Sequence, residues 1–531
     1  MAADEALPPP SWERTPRVLM VAYVSGRHPI GGGVSVFNEH LTNALARDFD
    51  VTLLMSAPPH EHPGVRVVTV DPERIAMADF PRLALHLTPD DVGLPRDPGA
   101  FDLIVSHNEF LGEAAIRVRE EWYPQARYAH GVHTAAEKYR RLIGEEALGR
   151  QEADRHRWIM NRMDDRDVVW GVGRPLTDEG LRMARTVVPG PRHLRSHELI
   201  PGFQTLPGTA PPSGDRPFTI YTIGRLDDPI KGMDQLFEAV RRLRAQGVNV
   251  VVRCRGVRGT DTLSQEENLR IEQRRVDRIM GEAGAVTLLP FTSDVAELDA
   301  EMRQADLCVM PSLHEGYGLV AVEPLERGVA GLVNQDSGIA HLLLHHPDVP
   351  RELGRNAVVM DDGLDANARV AAWAEAILAA VRERAERWAG AERLRLVGQR
   401  FVWTHSASAL VHAGLLPVDR DPGLPRHTRQ GADGRLLIAT ERVEAEHARA
   451  QARLDVPLRR GASRGGGRGA RGGGAPPPAP PRAAGGRPGR PGAGAPPGGR
   501  PPPRGAAAPH PGAEEARRAR RRVLTRARPG L

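Results

Sequence analysis

Between Arg17 and Phe401 the chain alternates short apolar runs with amphipathic or mixed-charge stretches. A proline- and glycine-rich segment, LPGTAPPSGDRP at 206–217, cuts that alternation in two. Runs such as RVLMVAYVS from Arg17, LIVSH from Leu103, FTIYTI from Phe218 and ADLCVM ending at Met310 are continuous in apolar character rather than alternating. A strand that is apolar on both faces belongs inside a parallel sheet covered by helices on both sides. Strand–helix repetition in two blocks, with no close internal repeat, predicts an α/β protein of two tandem domains facing a cleft.

The expected layout is a loose leader at 1–16, a first domain at 17–205, the linker at 206–217 and a second domain at 218–385. Terminal helices at 386–416 return to the first domain, and a linker with a possible helix follows at 417–460. From Gly461 to Leu531 only eight residues are other than Gly, Ala, Pro or Arg. Such a segment cannot bury a core and is expected to be disordered. The same composition is what a high-GC coding sequence gives when read out of frame.

The formal charge of +5 hides a division: residues 461–531 carry +13, leaving −8 for residues 1–460. An acidic body argues against nucleic acid as a partner, and with 4% aromatics a base-stacking surface is not expected either. Cys254 and Cys308, the two cysteines, fall inside apparent strands and read as small buried residues of a reducing compartment. The acidic, proline-rich start is no signal peptide, and no apolar run nears the ~18 residues of a membrane span. A cytoplasmic protein is expected.

The densest chemistry lies in PSLHEGYGLVAVEPLERGVAGLVNQD, from Pro311. It follows a strand and reads as a glycine-rich turn, a helix from about Leu319 and another strand at Ala330–Asn334. A helix start presents free N–H groups and the positive end of its dipole to a ligand. Gly316 and Gly318 allow close backbone approach. Glu315 and Glu323, eight apart, can face one ligand from two sides and accept hydrogen bonds from sugar hydroxyls.

This E-x7-E arrangement, EGYGLVAVE, resembles the donor-site signature of the family 4 retaining glycosyltransferases, which have the GT-B fold of two Rossmann-like domains. The resemblance covers roughly residues 17–416. Gly31, Gly32 and Gly33 resemble the loop that closes over the donor phosphates; a dinucleotide-binding turn, the competing reading, wants an acidic residue ending the second strand, where Ser56 stands. YAHGVHTAAEKY at 128–139 resembles the segment placing a histidine beside the donor sugar, with His130 the matching position and His133 the near alternative. GRLDDPIKG at 224–232 resembles the segment whose Arg and Lys, here Arg225 and Lys231, neutralise the donor diphosphate. Of 72 Lys plus Arg, Lys138 and Lys231 alone are lysine, which fits a need for a compact point charge at 231. HELIPGFQ at 197–204 departs from the family pattern, lacking an Asn-Gly pair and a following acidic residue.

The resemblance implies a metal-independent hexosyltransferase with no resident cofactor, using a UDP- or GDP-linked sugar as co-substrate. Glu315 and the amides of Gly316, Tyr317, Gly318 and Leu319 would hold the sugar, Glu323 the ribose, and Arg225 and Lys231 the departing diphosphate. His60 and His62, or His341, His345 and His346, lack carboxylate or cysteine companions at metal-site spacing. Asp164–Asp165 and Asp227–Asp228 are not DxD pairs ending a strand. Mixed charge along 137–158 disfavours a membrane-surface enzyme, so the expected acceptor is a small soluble polyol, cyclitol or natural product. Two alternatives share these features: a nucleotide-sugar epimerase of related fold, and a catalytically inactive nucleotide-sugar-binding relative. Sequence sets no oligomeric state.

Overall fold

The computed structural model describes residues 5–6, 12–22, 32–56, 62–187, 194–417, 426–430 and 436–440. Gly31, His60 and the 461–531 tail lie outside them. The chain divides into units 1–457 and 458–531, and every described residue belongs to the first.

The continuous apolar runs are strands. In chain order they are β1 (Glu5–Ala6), β2 (Arg17–Ala22), β3 (Asp50–Met55), β4 (Val65–Thr69), β5 (Leu103–His107), β6 (Arg127–Val132), β7 (Val168–Val172) and β8 (Arg195–Leu199). After the linker come β9 (Phe218–Ile223), β10 (Val250–Val257), β11 (Val286–Pro290), β12 (Leu307–Met310), β13 (Gly331–Asn334) and β14 (Val358–Val359), then β15 (Arg426–Gln430) and β16 (Leu436–Thr440). Among the described residues they form two sheets, ordered β1-β16-β15-β8-β7-β6-β5-β2-β3-β4 and β11-β10-β9-β12-β13-β14. Every pairing is parallel except β15–β16 and β1–β16. Val18–Ala22 and Leu103–His107 are buried throughout, as interior parallel strands require.

Parallel strands need crossover helices, so all loops leaving the carboxyl ends of a sheet share one edge, and ligands bind there. The loops after β6 and β7 in the first lobe, and after β9, β12 and β13 in the second, meet in this way. Cys254 in β10 and Cys308 in β12 are buried free thiols. The helix Trp403–Leu415 crosses back onto the first lobe: Ser406 Oγ donates to Ile200 O, and the Arg127 guanidinium to Gly414 O and Leu416 O.

Within 417–460, where the sequence predicts a linker with a possible helix, the described residues 426–430 and 436–440 are the strands β15 and β16, and the possible helix lies outside the described residues. β15 is tied to β8 by polar side-chain pairs, Ser196 Oγ with His427 Nδ1 and His197 Nδ1 with Thr428 Oγ1, each at 2.9 Å. β6 runs through His130 to Val132. Among the described residues, no helix is long and apolar enough to cross a membrane.

Candidate active site between the lobes

Local chemistry brings the second-lobe loops together. Asp228 caps the short turn Pro229–Lys231, its Oδ1 accepting from Ile230 N at 3.2 Å. Gly232 then turns with φ of +65°, so close to the next loop that a Cβ there would lie 2.0 Å from Pro311 O. Leu313 N donates to Ile230 O at 2.7 Å, and Gln235 Nε2 to Pro311 O at 2.6 Å. These bonds lay the loop after β9 against the loop after β12. The Lys231 ammonium thereby sits 2.7 Å from Glu315 Oε2, which also accepts from Ser312 Oγ at 3.2 Å. Arg225, about half exposed, pairs with Asp228. Burial would lower its pKa, but the Asp228 charge and hydrogen bond outweigh that and raise it.

Glu315 is held from behind. Its N–H donates to Asp336 O at 3.0 Å, and it bridges to Ser337 as a strand would. Gly316 abuts the first lobe: a Cβ there would stand 2.2 Å from His133 O. Gly318, with φ of +96°, starts the helix Leu319–Glu326. Leu319 and Glu323 on that helix line a cavity of about 470 Å³. Its opposite wall includes Val36, Glu39 and His40, from the helix Gly33–Leu45 that Gly32 and Gly33 open. Both glycines stand in open space, with nothing within 4 Å of a built Cβ.

The structure therefore brings Arg225, Lys231, Glu315 and Gly316 to one junction, while Leu319 and Glu323 line the cavity of about 470 Å³. The Tyr317 side chain is 5% exposed, its ring packed on Gly173 and Gly338, with a hydroxyl that burial keeps protonated, so only its backbone amide is available to a ligand. One residue falls elsewhere. His130 is 0% exposed. Its Nδ1 meets Ser106 Oγ at 3.3 Å and Tyr128 OH at 3.2 Å, and its Nε2 meets His156 Nδ1 at 2.9 Å. Burial, reinforced by His156 and His107, holds it neutral. His130 is thus not at the cleft; the backbone carbonyl of His133 is, while the His133 ring packs against Phe37, His107 and Trp170.

His133 leaves β6 where the lobes touch, and an unusual backbone holds it there. Asn108, at φ of 51°, is the non-glycine with positive φ among the described residues, and its Oδ1 accepts from His133 N at 2.8 Å. The ring is held by a chain of hydrogen bonds. Asn38 Oδ1 can only accept, so His107 donates to it from Nε2 at 3.1 Å. His107 Nδ1 then accepts from His133 Nε2 at 2.9 Å, which leaves His133 Nδ1 as the unprotonated nitrogen. Burial drops the His107 pKa to about 3, so it stays neutral in this role.

Sequence reasoning also passed over Lys138 and Tyr139. Lys138 Nζ lies 2.6 Å from Asp336 Oδ2, across the cleft, and His314 Nδ1 reaches the same oxygen at 3.2 Å. Burial would raise Asp336, but these two partners hold its carboxyl below the usual range. Tyr139 OH donates to Asp228 Oδ2 at 3.1 Å. The signal for Lys138 was available: it is the other of the chain's two lysines.

The family pattern of "Family 4 Glycosyltransferase in conflict systems" matches residues 21–410. The chain belongs to this family of glycosyltransferases. It is 26% identical to D-inositol 3-phosphate glycosyltransferase of Pseudarthrobacter chlorophenolicus over 74% of this chain and 92% of that protein. The like-named protein of Jonesia denitrificans is 25% identical over 72% of this chain and 90% of its own length. Sucrose-phosphate synthase from Thermosynechococcus elongatus superposes with a TM-score of 0.55 at 20% identity, covering 74% of this chain and 96% of that one. The α,α-trehalose-phosphate synthase (UDP-forming) of Burkholderia xenovorans, solved with glucose-6-phosphate, gives 0.53 at 15% identity, covering 75% and 99%. The two parallel sheets of this glycosyltransferase are those of the GT-B fold.

Proposed function

We propose that this glycosyltransferase moves a hexose-type sugar, with retention of configuration, from a UDP- or GDP-linked donor to a hydroxyl of a small soluble polyol or cyclitol. What carries the reading is the Lys231–Glu315 contact at 2.7 Å, where the carboxyl ends of β9 and β12 meet, with Arg225 beside it. Two cations there suit a diphosphate leaving group, and a carboxylate suits the sugar hydroxyls next to it. Glu323, on the cavity of about 470 Å³, would take the ribose. The relatives named for inositol 3-phosphate, and the neighbour solved with glucose-6-phosphate, support a phosphorylated form of that acceptor class.

In the proposed reaction the bond from the anomeric carbon to the diphosphate breaks, its electron pair leaving with the diphosphate. Arg225, Lys231 and the N–H groups near Gly318 stabilise that charge. The acceptor oxygen bonds to the same carbon on the same face, and its proton passes to a diphosphate oxygen. His133, in place of His130, faces the reacting sugar from the first lobe. Charge stabilisation by these groups needs no divalent ion.

Isothermal titration of the full chain with UDP, GDP and ADP, with Lys231→Ala as control, tests the donor site. Binding of one nucleotide that the substitution weakens is expected. Incubation with the matching nucleotide sugar and free or phosphorylated polyols, read by NMR for anomeric configuration, then tests the transfer. Binding of none of the three, or transfer only to lipids or long glycans, would overturn the reading. Conversion of the donor without any acceptor would favour the epimerase.

A further inference from the structure

The helix Ala136–Leu142 of the first lobe sends two adjacent side chains into the loops that carry the donor-site charges of the second. Tyr139 OH reaches Asp228 Oδ2 at 3.1 Å, the same oxygen that takes the Arg225 guanidinium. The other oxygen of Asp228 accepts from Ile230 N, capping the turn that ends in Lys231. The Asp228 side chain is 7% exposed, so its two oxygens have their directions set by these partners rather than by water. Arg225 is 49% exposed and extends from this one carboxylate. Whatever fixes Asp228 therefore fixes the aim of Arg225.

Tyr139 is built to do so. The Arg140 guanidinium lies 5.4 Å over its ring and is itself held by Glu152 at 3.0 Å and Glu145 at 2.8 Å. Burial, then the Asp228 charge, pushes the phenol up to about 12, so it remains a donor. The neighbouring residue repeats the pattern: Lys138 holds Asp336, whose carbonyl accepts from Glu315 N. The two lysines of the chain thus both end on carboxylates at this junction, Lys138 on Asp336 and Lys231 on Glu315.

We propose that Tyr139 is a positioning residue for the donor diphosphate, acting through Asp228 to aim Arg225, so that closing the first lobe on the second completes the diphosphate site. The inference rests on the donor-site reading above. It makes nucleotide diphosphate affinity depend on a first-lobe side chain that does not itself reach the nucleotide.

The test is titration of the full-length protein with whichever nucleoside diphosphate the native chain binds, and with the corresponding monophosphate. Native, Tyr139→Phe, Arg225→Ala and the double variant are compared. Tyr139→Phe is expected to weaken the diphosphate roughly 5- to 10-fold, within the range of one ordinary hydrogen bond, because the lost bond acts on the diphosphate only through Asp228 and Arg225. It should change monophosphate affinity much less and leave the melting temperature in place. In the Arg225→Ala background the same substitution should have no further effect, because its target is gone. Asp228→Asn should show the same dependence on Arg225. An unchanged diphosphate affinity in Tyr139→Phe, or a loss that simply adds to that of Arg225→Ala, overturns the proposal. If the native chain binds no nucleotide, the donor-site reading falls and this inference with it.

Discussion

Lys231 meets Glu315 at a place where two loops leave room for a compact ammonium, because Gly232 is pressed against Pro311. Removing that point charge from a leaving-group site should lower kcat/KM about 10²–10³-fold. Lys231→Arg should not restore it, since a planar fork on a longer stem does not reproduce the compact ammonium held 2.7 Å from Glu315. Steady-state kinetics with a melting curve for each variant check both. This pair was legible in the sequence because a lone lysine and an E-x7-E spacing are both local. The histidine was not, because HGVH offers two candidates and only the exit point of β6 separates them. His130 is buried with both ring nitrogens engaged, so His130→Ala should cost stability, about 1–3 kcal/mol for the partners left unpaired, while the folded fraction keeps its kcat. His133→Ala should instead lower kcat, and the comparison of kcat with melting temperature separates the two roles.

Glycines that the sequence offered as places for a ligand's close approach are, in part, places where the protein approaches itself. Gly316 was read as backbone room for a donor, yet its nearest neighbour is His133 O from the other lobe. A Cβ 2.2 Å from a carbonyl cannot be relieved by a rotamer, so Gly316→Ala should hold the lobes apart. Activity is expected to fall at least 10-fold with little change in melting temperature, since the strain falls between lobes rather than within either core. Gly232→Ala differs: with φ of +65° and Pro311 O at 2.0 Å, it should cost about 1–3 kcal/mol within the second lobe as well. The strands of both sheets were legible for a physical reason: buried parallel strands are continuous apolar runs. β15 was not, because RHTRQ has no apolar pattern. It is set by backbone pairing with β8 across more than 200 residues of sequence and by polar pairs such as Ser196 with His427.

Histidines buried across the first lobe and its contact with the second couple the whole fold to pH. His107, His130, His133, His156, His197 and His341 all have pKa values lowered by burial, to about 3 for His107 and His197 and about 4 for His156 and His341. In the unfolded chain each titrates near 6.5. As pH falls below that value the unfolded chain takes up protons that the folded chain does not, so stability is lost. The loss runs from about pH 6.5 down to the folded values, at up to about 1.4 kcal/mol per pH unit for each histidine. Carboxylates held low, such as Asp336, act later and in the same direction, since their contribution disappears only as pH falls below the ordinary carboxylate range. Urea unfolding should therefore show a nearly constant midpoint from pH 8.5 to 7.5 and a steep fall between 6.5 and 5. The steep part should precede carboxylate titration. A midpoint flat to pH 5 would mean that the folded protein protonates these imidazoles, and the chain from Asn38 through His107 to His133 could not then keep His133 in one tautomer. The same titration followed by activity separates the two effects: loss of activity above the onset of unfolding would place the sensitive proton in the cleft rather than in the core.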